Sequence, residues 1–193
     1  MSLNPVLKEQ VVNRAVRALR KDNRIEQISF ATIANELGVR IEDLQGYYSS
    51  AEDIFLKAQQ KDWDAIHRYW DSKIKKAKTP GDFKDAFNAF FERVVKNLSN
   101  DADLRLEMSC YLKSCRQYRE KNRKKLRQKF NRLIKRGWPG KQEKVVARQT
   151  ELVVMIFYGF LDHVVHIPKK ERVKILRDLR NMLNLHLQDR RFF

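Results

Sequence analysis

Nine of the sixteen residues from 121 to 136 are basic (Lys121, Arg123, Lys124, Lys125, Arg127, Lys129, Arg132, Lys135, Arg136), and none is acidic. Residues 113–148 as a whole carry fifteen Lys or Arg against Glu120 and Glu143. Such a segment attracts polyanions: nucleic acid, an acidic membrane surface reached through Leu126, Phe130 and Ile134, or a phosphorylated ligand such as an acyl-coenzyme A. The plainer reading is an outward face that keeps the chain soluble. Asp162, His163 and His166 hint at a metal site, since spacing by three places both imidazoles on neighbouring helical positions. With no third ligand in the pattern, packed histidines are the better expectation and no metal is expected. Cys110 and Cys115 are five apart, which on a helix turns them about 140° from one another, so they read as small buried hydrophobes rather than a disulfide or zinc pair. No Ser/His/Asp or Cys/His constellation, paired catalytic carboxylates or phosphate-cradling glycine loop is present, so neither an enzyme nor a cofactor is expected.

These residues must be positioned by helices. Of 193 residues only six are Gly and four Pro, and 42% are hydrophobic, enough for a substantial core. The net charge of +17 is unevenly spread: residues 1–60 hold eight basic and eight acidic side chains. No window is long and apolar enough for a membrane span, and no signal-peptide pattern opens the chain, so a cytoplasmic protein is expected.

Apolar spacing at Val12, Ala15, Val16 and Leu19 predicts a helix over residues 5–21. Ser29 caps a short helix with Phe30, Ile33, Ala34 and Leu37 inward, and Gly38 supplies the turn. Residues 40–48 form a third helix with Leu44 and Tyr48 inward. Ser50, with Asp53 three residues on, opens a long fourth helix carrying Ile54, Phe55, Ala58, Trp63, Ile66 and Trp70. Thr79-Pro80-Gly81-Asp82 is a strong start for a fifth helix that runs to about residue 98 and buries Phe83, Phe87, Phe90, Phe91 and Val94.

A sixth element runs through Leu104, Met108 and Tyr111. The basic helix over about 117–135 follows, with a narrow stripe of Leu126, Phe130, Leu133 and Ile134, and Gly137-Trp138-Pro139-Gly140 breaks it. The helix over about 142–167 is apolar almost all round in its second half, so it must be covered on several sides. After Pro168, the last helix, over about 169–189, places Val173, Leu176, Leu179, Met182, Leu183 and Leu187 on one face. The fold class is all-α, with no strand of convincing period two.

The stretch ISFATIANELGVRIEDLQGYYSSAEDIF (residues 28–55) resembles the DNA-binding module of TetR-family regulators. Ile33-Ala34, the Gly38-Val39 turn, Leu44, Tyr48, Ser50 and Glu52 match that pattern, while Arg40 stands where a Ser or Thr is usual, Glu42 and Asp43 replace basic or hydroxylic residues, and Ala51 replaces a Lys. The resemblance implies a three-helix helix-turn-helix domain (1–50) and a six-helix domain for effector binding and dimerisation (51–193). It implies a homodimer paired through the last two helices, and a transcriptional regulator, a repressor released from operator DNA by a small-molecule effector. Base edges would face Ile41, Glu42, Asp43, Gln45, Gly46 and Tyr47; phosphates would face Ser29 and Phe30, with Arg14, Arg17 and Arg40 as cationic partners. The effector pocket would be lined by Trp63, Phe87, Phe91, Met108, Tyr111 and Phe157. The competing reading is a dimeric helical binding protein that holds a polyanion on residues 113–148.

Overall fold

The computed structural model describes residues 29–98, 112–163 and 167–188. They form seven helices and no strand: α1 (Phe30–Leu37), α2 (Ile41–Gln45), α3 (Ala51–Lys76), α4 (Pro80–Leu98), α5 (Lys113–Gly137), α6 (Glu143–His163) and α7 (Lys169–Gln188). The helices expected at 5–21 and through 104–111, with Arg14, Arg17, Met108, Tyr111 and Cys110, lie outside the described residues, as does His166.

Local chemistry sets the helix ends. Ser29 Oγ accepts from the Thr32 amide at 3.1 Å and so caps α1. Gly38 closes α1 at φ 62°, where an L side chain is strained, and donates its N–H to Ala34 and Asn35. At α4 the expected capping box is complete: the Asp82 amide donates to Thr79 Oγ1 (3.2 Å), and Asp82 Oδ2 accepts from the Thr79 and Lys78 amides at 2.8 and 2.9 Å. Ser50 caps α3 in the same way, through the Asp53 amide at 3.1 Å. The Asp53 carboxylate reaches one residue further back than a capping box requires, accepting from the Ser49 amide.

The described residues divide into two packing units, and the division runs through α3 and α5. In the first, residues 29–62 and 112–119, Ile33, Ala34, Leu44, Tyr48, Ala51, Ile54, Phe55, Leu112 and Cys115 form one core. The packing thus joins residues 51–62 and the first turns of α5 to the small module, where the sequence suggested a boundary at residue 50. Ser114 ties α5 to α3 within this unit, its hydroxyl donating to Glu52 Oε2 at 2.7 Å. Burial pushes the Cys115 thiol up to about 11.

The second unit is organised by stacked aromatics. Phe130 of α5 lies 4.9 Å from the Trp70 ring, 5.6 Å from Phe87 and 5.0 Å from Phe90, and Phe90 lies 5.0 Å from Phe157 of α6. The Trp70 indole N–H donates to the Ala86 carbonyl at 2.8 Å, which satisfies the one polar atom that burying this ring strands. Leu126, Phe130, Leu133 and Ile134 are fully buried, as the stripe on the basic helix predicts, so they are not available to an acidic membrane surface.

Two expectations for the last helices change. α6 is covered over about half its circumference, with Val153, Val154, Phe157, Tyr158, Phe160 and Leu161 all buried, but it leaves Met155 exposed at 56%. On α7, Leu176, Leu183 and Leu187 are buried, whereas Met182 faces outward with Ile175 and Leu185, so α7 has two apolar faces and not one. The helical period explains this: Met182 lies about 100° from Leu183, enough to leave the buried face.

Replacing Phe130 with Ala is expected to destabilise the second unit by about 3–5 kcal/mol, because a filled position contacting several rings becomes a cavity. Thr79→Ala, which removes only a cap, is expected to cost about 1 kcal/mol. Urea unfolding monitored by tryptophan fluorescence checks the contrast; equal effects would show that Phe130 does not hold this core together.

Candidate nucleic-acid interface and effector region

α2 has only five residues, too few to be stable alone, so its packing decides which face is free. Leu44 is fully buried and Tyr48 nearly so. Phe30, Ile41 and Tyr47 are half-buried against the same core, which leaves Glu42, Gln45 and the two caps, Arg40 and Gly46, exposed to solvent. Ser29 is exposed, and its hydroxyl is occupied by the cap.

Arg40 and Asp43 are paired with each other. The Arg40 guanidinium donates to both Asp43 oxygens, Nε to Oδ2 at 3.2 Å and Nη2 to Oδ1 at 3.1 Å. That hydrogen bond holds the Asp43 carboxyl below the usual carboxylate range and raises Arg40. The pairing has two effects on a polyanion approaching this face. It offsets one of the two acids that the sequence places there, and it occupies Arg40, one of the cations expected to meet phosphate. Lys57, not singled out in the sequence, donates to the Tyr47 carbonyl at 2.8 Å and pairs with Asp53 at 3.0 Å, tying the end of the α2 turn to α3.

In the second unit the structure brings together four of the proposed effector residues. Trp63 lies 6.5 Å from Phe157, Phe157 lies 6.0 Å from Phe91, and Phe91 lies 5.3 Å from Phe87. All four are buried and packed on one another. A chain of polar groups absent from the sequence reading meets them at Trp63. His67, its ring 6.0 Å from Trp63, hydrogen-bonds through Nε2 to Asn122 Oδ1 at 2.6 Å, and Asn122 Nδ2 donates to the Tyr158 hydroxyl at 3.3 Å. Lys129 Nζ lies 3.2 Å from His67 Nδ1 and 2.5 Å from Asp71 Oδ1.

The order of donors follows from chemistry. An ammonium only donates, so Nδ1 accepts from Lys129 and the proton sits on Nε2, facing the Asn122 carbonyl oxygen. A second proton on Nδ1 would point at the ammonium. Burial holds His67 down to about 4, and Lys129 and Lys125 push the same way, against Asn122 and Asp71. Burial also lowers Lys129, opposed by Asp71.

The signals for this chain were present. Asn122 precedes Leu126 by four residues on the buried stripe of α5, and His67 lies between Ile66 and Trp70 in α3. A polar residue in an apolar register needs a partner. An open groove of about 580 Å³, which no sequence signal announces, lies between α3, α4 and α7, and its lining includes Tyr69, Lys73, Asn88, Glu92, Arg180 and Asn184. Asn184 Nδ2 donates to Asn88 Oδ1 across it at 2.7 Å. Asp162 and His163 are exposed at the end of α6.

An all-helical chain with a short exposed helix anchored after a glycine turn is the architecture of a helix-turn-helix protein. No protein-family model matches the sequence, and no curated protein sequence matches it. Solved structures match over nearly the whole chain. A TetR-like transcriptional regulator from Rhodococcus sp. RHA1 superposes with a TM-score of 0.63 at 16% identity, covering 95% of this chain and 98% of that one. The fatty acid degradation regulator FadR from Bacillus halodurans gives 0.62 at 15% identity, covering 95% and 96%. The regulator FadR from Bacillus subtilis in complex with stearoyl-CoA gives 0.53 at 19% identity, covering 93% and 95%. The chain therefore has the fold of TetR-like transcriptional regulators.

Two titrations test this geometry. Arg40→Ala is expected to raise the Asp43 pKa toward its ordinary value, read by NMR; an unchanged titration would mean the pair does not form in solution. His67 is held neutral in the fold and has an ordinary value of about 6.5 when unfolded. Its contribution to stability is therefore present above about pH 6.5 and is lost as pH falls toward 4, on the order of 3 kcal/mol in total. Melts between pH 7 and 4.5 are expected to show this loss, and His67→Gln to remove it.

Proposed function

We propose that the chain is a homodimeric DNA-binding transcriptional regulator, a repressor whose hold on its operator is released by a small-molecule effector. One observation carries this reading: α2 is fixed from one side by Leu44 and Tyr48 while Glu42, Gln45 and Gly46 stay open to solvent. That is the presentation a major-groove reader needs. The acids do not exclude base contacts, because a carboxylate accepts from the cytosine amino group, and Gln45 suits adenine. Ser29, Phe30 and Arg40, with Arg14 and Arg17, are the proposed phosphate contacts, and Ile41, Asp43 and Tyr47 complete the reading face.

The dimer is proposed to form through α6 and α7. Met155, Ile175, Met182 and Leu185 expose apolar surface there, and pairing with a second copy would bury it. Two-fold symmetry then calls for a palindromic operator. The effector is proposed to act within the second unit, where the aromatic set Trp63, Phe87, Phe91 and Phe157 meets the polar chain from His67 to Tyr158. An apolar body with a polar end fits that junction, a description that also suits the acyl thioester held by the Bacillus subtilis neighbour.

The decisive experiment is a mobility shift with the DNA upstream of the chain's own coding sequence. Gln45→Ala with Tyr47→Ala is expected to weaken specific binding at least tenfold, with the melting temperature measured alongside because Tyr47 is half-buried. Unchanged binding by a folded variant would overturn the operator assignment. Light scattering is expected to give a dimer for the parent and a monomer for Met182→Asp with Leu185→Asp.

A further inference from the structure

The outward face of α5 is the strongest feature that the operator reading leaves unused. Six of the nine cations between residues 121 and 136 are exposed: Lys121, Lys124, Lys125, Arg132, Lys135 and Arg136. At 100° per residue they fall within an arc of about 120°, centred opposite the buried stripe of Leu126, Phe130, Leu133 and Ile134. They form a straight line of positive charge about 22 Å long on one rigid helix.

The other three cations have a structural use. Arg127 pairs with Glu151, Lys129 pairs with Asp71, and the Arg123 guanidinium stacks 5.5 Å from the Tyr158 ring. Along the outward line Lys135 meets Glu143 at 3.4 Å and Arg136 lies over Phe83. Lys121, Lys124, Lys125 and Arg132 have no carboxylate within ion-pair distance among the described residues.

This arrangement costs the protein stability. Lys121 stands three and four residues from Lys124 and Lys125, and Arg132 three and four from Lys135 and Arg136, spacings at which like charges repel. A face needed only for solubility mixes signs and relieves that repulsion. The chain does so elsewhere, as the Lys57–Asp53 and Arg180–Glu92 pairs show.

We infer that the outward face of α5 is a second, sequence-independent contact surface for the phosphate backbone of duplex DNA. Charge complementarity selects the partner. A membrane-surface helix needs apolar side chains beside its cations to enter the lipid, and the apolar residues of α5 are buried in the core. What the face offers is cations and Gln128, suited to phosphate contacts that neutralise charge and release counterions without reading bases. A rigid line of about 22 Å laid against a duplex, which carries one charge per about 1.7 Å of its axis over both strands, lies within reach of several phosphates. This surface stands independently of the operator assignment.

The test uses the full chain carrying Gln45→Ala and Tyr47→Ala, so that the α2 face is disabled, and a labelled random-sequence duplex of about 30 base pairs. Anisotropy titrations between 50 and 200 mM NaCl are run with and without Lys121→Gln, Lys124→Gln, Lys125→Gln and Arg132→Gln. Removing four phosphate contacts is expected to make the slope of log K against log salt shallower by about three to four, and to weaken binding at least tenfold at 100 mM. Helicity by circular dichroism should be retained, since repulsion is relieved. If the fourfold variant fails to fold, Lys121→Gln with Lys125→Gln alone is expected to lower the slope by about two. An unchanged slope and affinity in a folded variant would overturn the inference. So would a variant that keeps its DNA affinity but loses flotation with phosphatidylglycerol vesicles, which would assign the face to lipid.

Discussion

A helix of five residues cannot hold its own shape, and the small module of this molecule depends on that fact. Nucleating a turn fixes several dihedrals for a single hydrogen bond, so α2 exists because Leu44 and Tyr48 are buried in a core built by α1, α3 and the start of α5. The same burial determines orientation. With the inward side occupied, and Ile41 and Tyr47 leaning on the core, the free surface reduces to a few polar positions whose placement is set by packing. Gly38 makes the geometry possible by turning the chain between α1 and α2 in a conformation that side-chain-bearing residues resist.

The second unit solves a different problem, that of placing hydrogen-bonding groups inside an aromatic core. Trp70 spends its N–H on a backbone carbonyl, and His67 links Lys129 on one side to Asn122 on the other, which in turn donates to the Tyr158 hydroxyl. Such a chain specifies register as well as energy, because sliding α5 along α3 by one turn would leave several members without partners.

The fold was largely legible in the sequence, and for identifiable reasons. Caps and turns are local, so Ser29, Gly38, Ser50 and the Thr79-to-Asp82 box announced helix ends that the structure reproduces. Apolar period located the buried stripe of α5 and the phenylalanines of α4. What could not be read was pairing that depends on how helices meet. The His67–Asn122–Tyr158 chain joins residues from three helices, and the Arg40–Asp43 bond changes the meaning of two residues that looked like separate contributors of charge. Met182 was misplaced because a helix with apolar residues on adjoining faces does not disclose which of them packs inside the chain.

Cys115 brings a chemical consequence to the small module. Its sulfur is buried in the core that positions α2, and the thiol is held well above neutrality, so the thiolate that reacts with alkylating agents is scarce while that core is closed. Modification then has to wait for the core to open. Labelling at this sulfur therefore works as a built-in clock for the lifetime of the packed state, and any ligand or DNA that steadies the module would slow it without touching the cysteine.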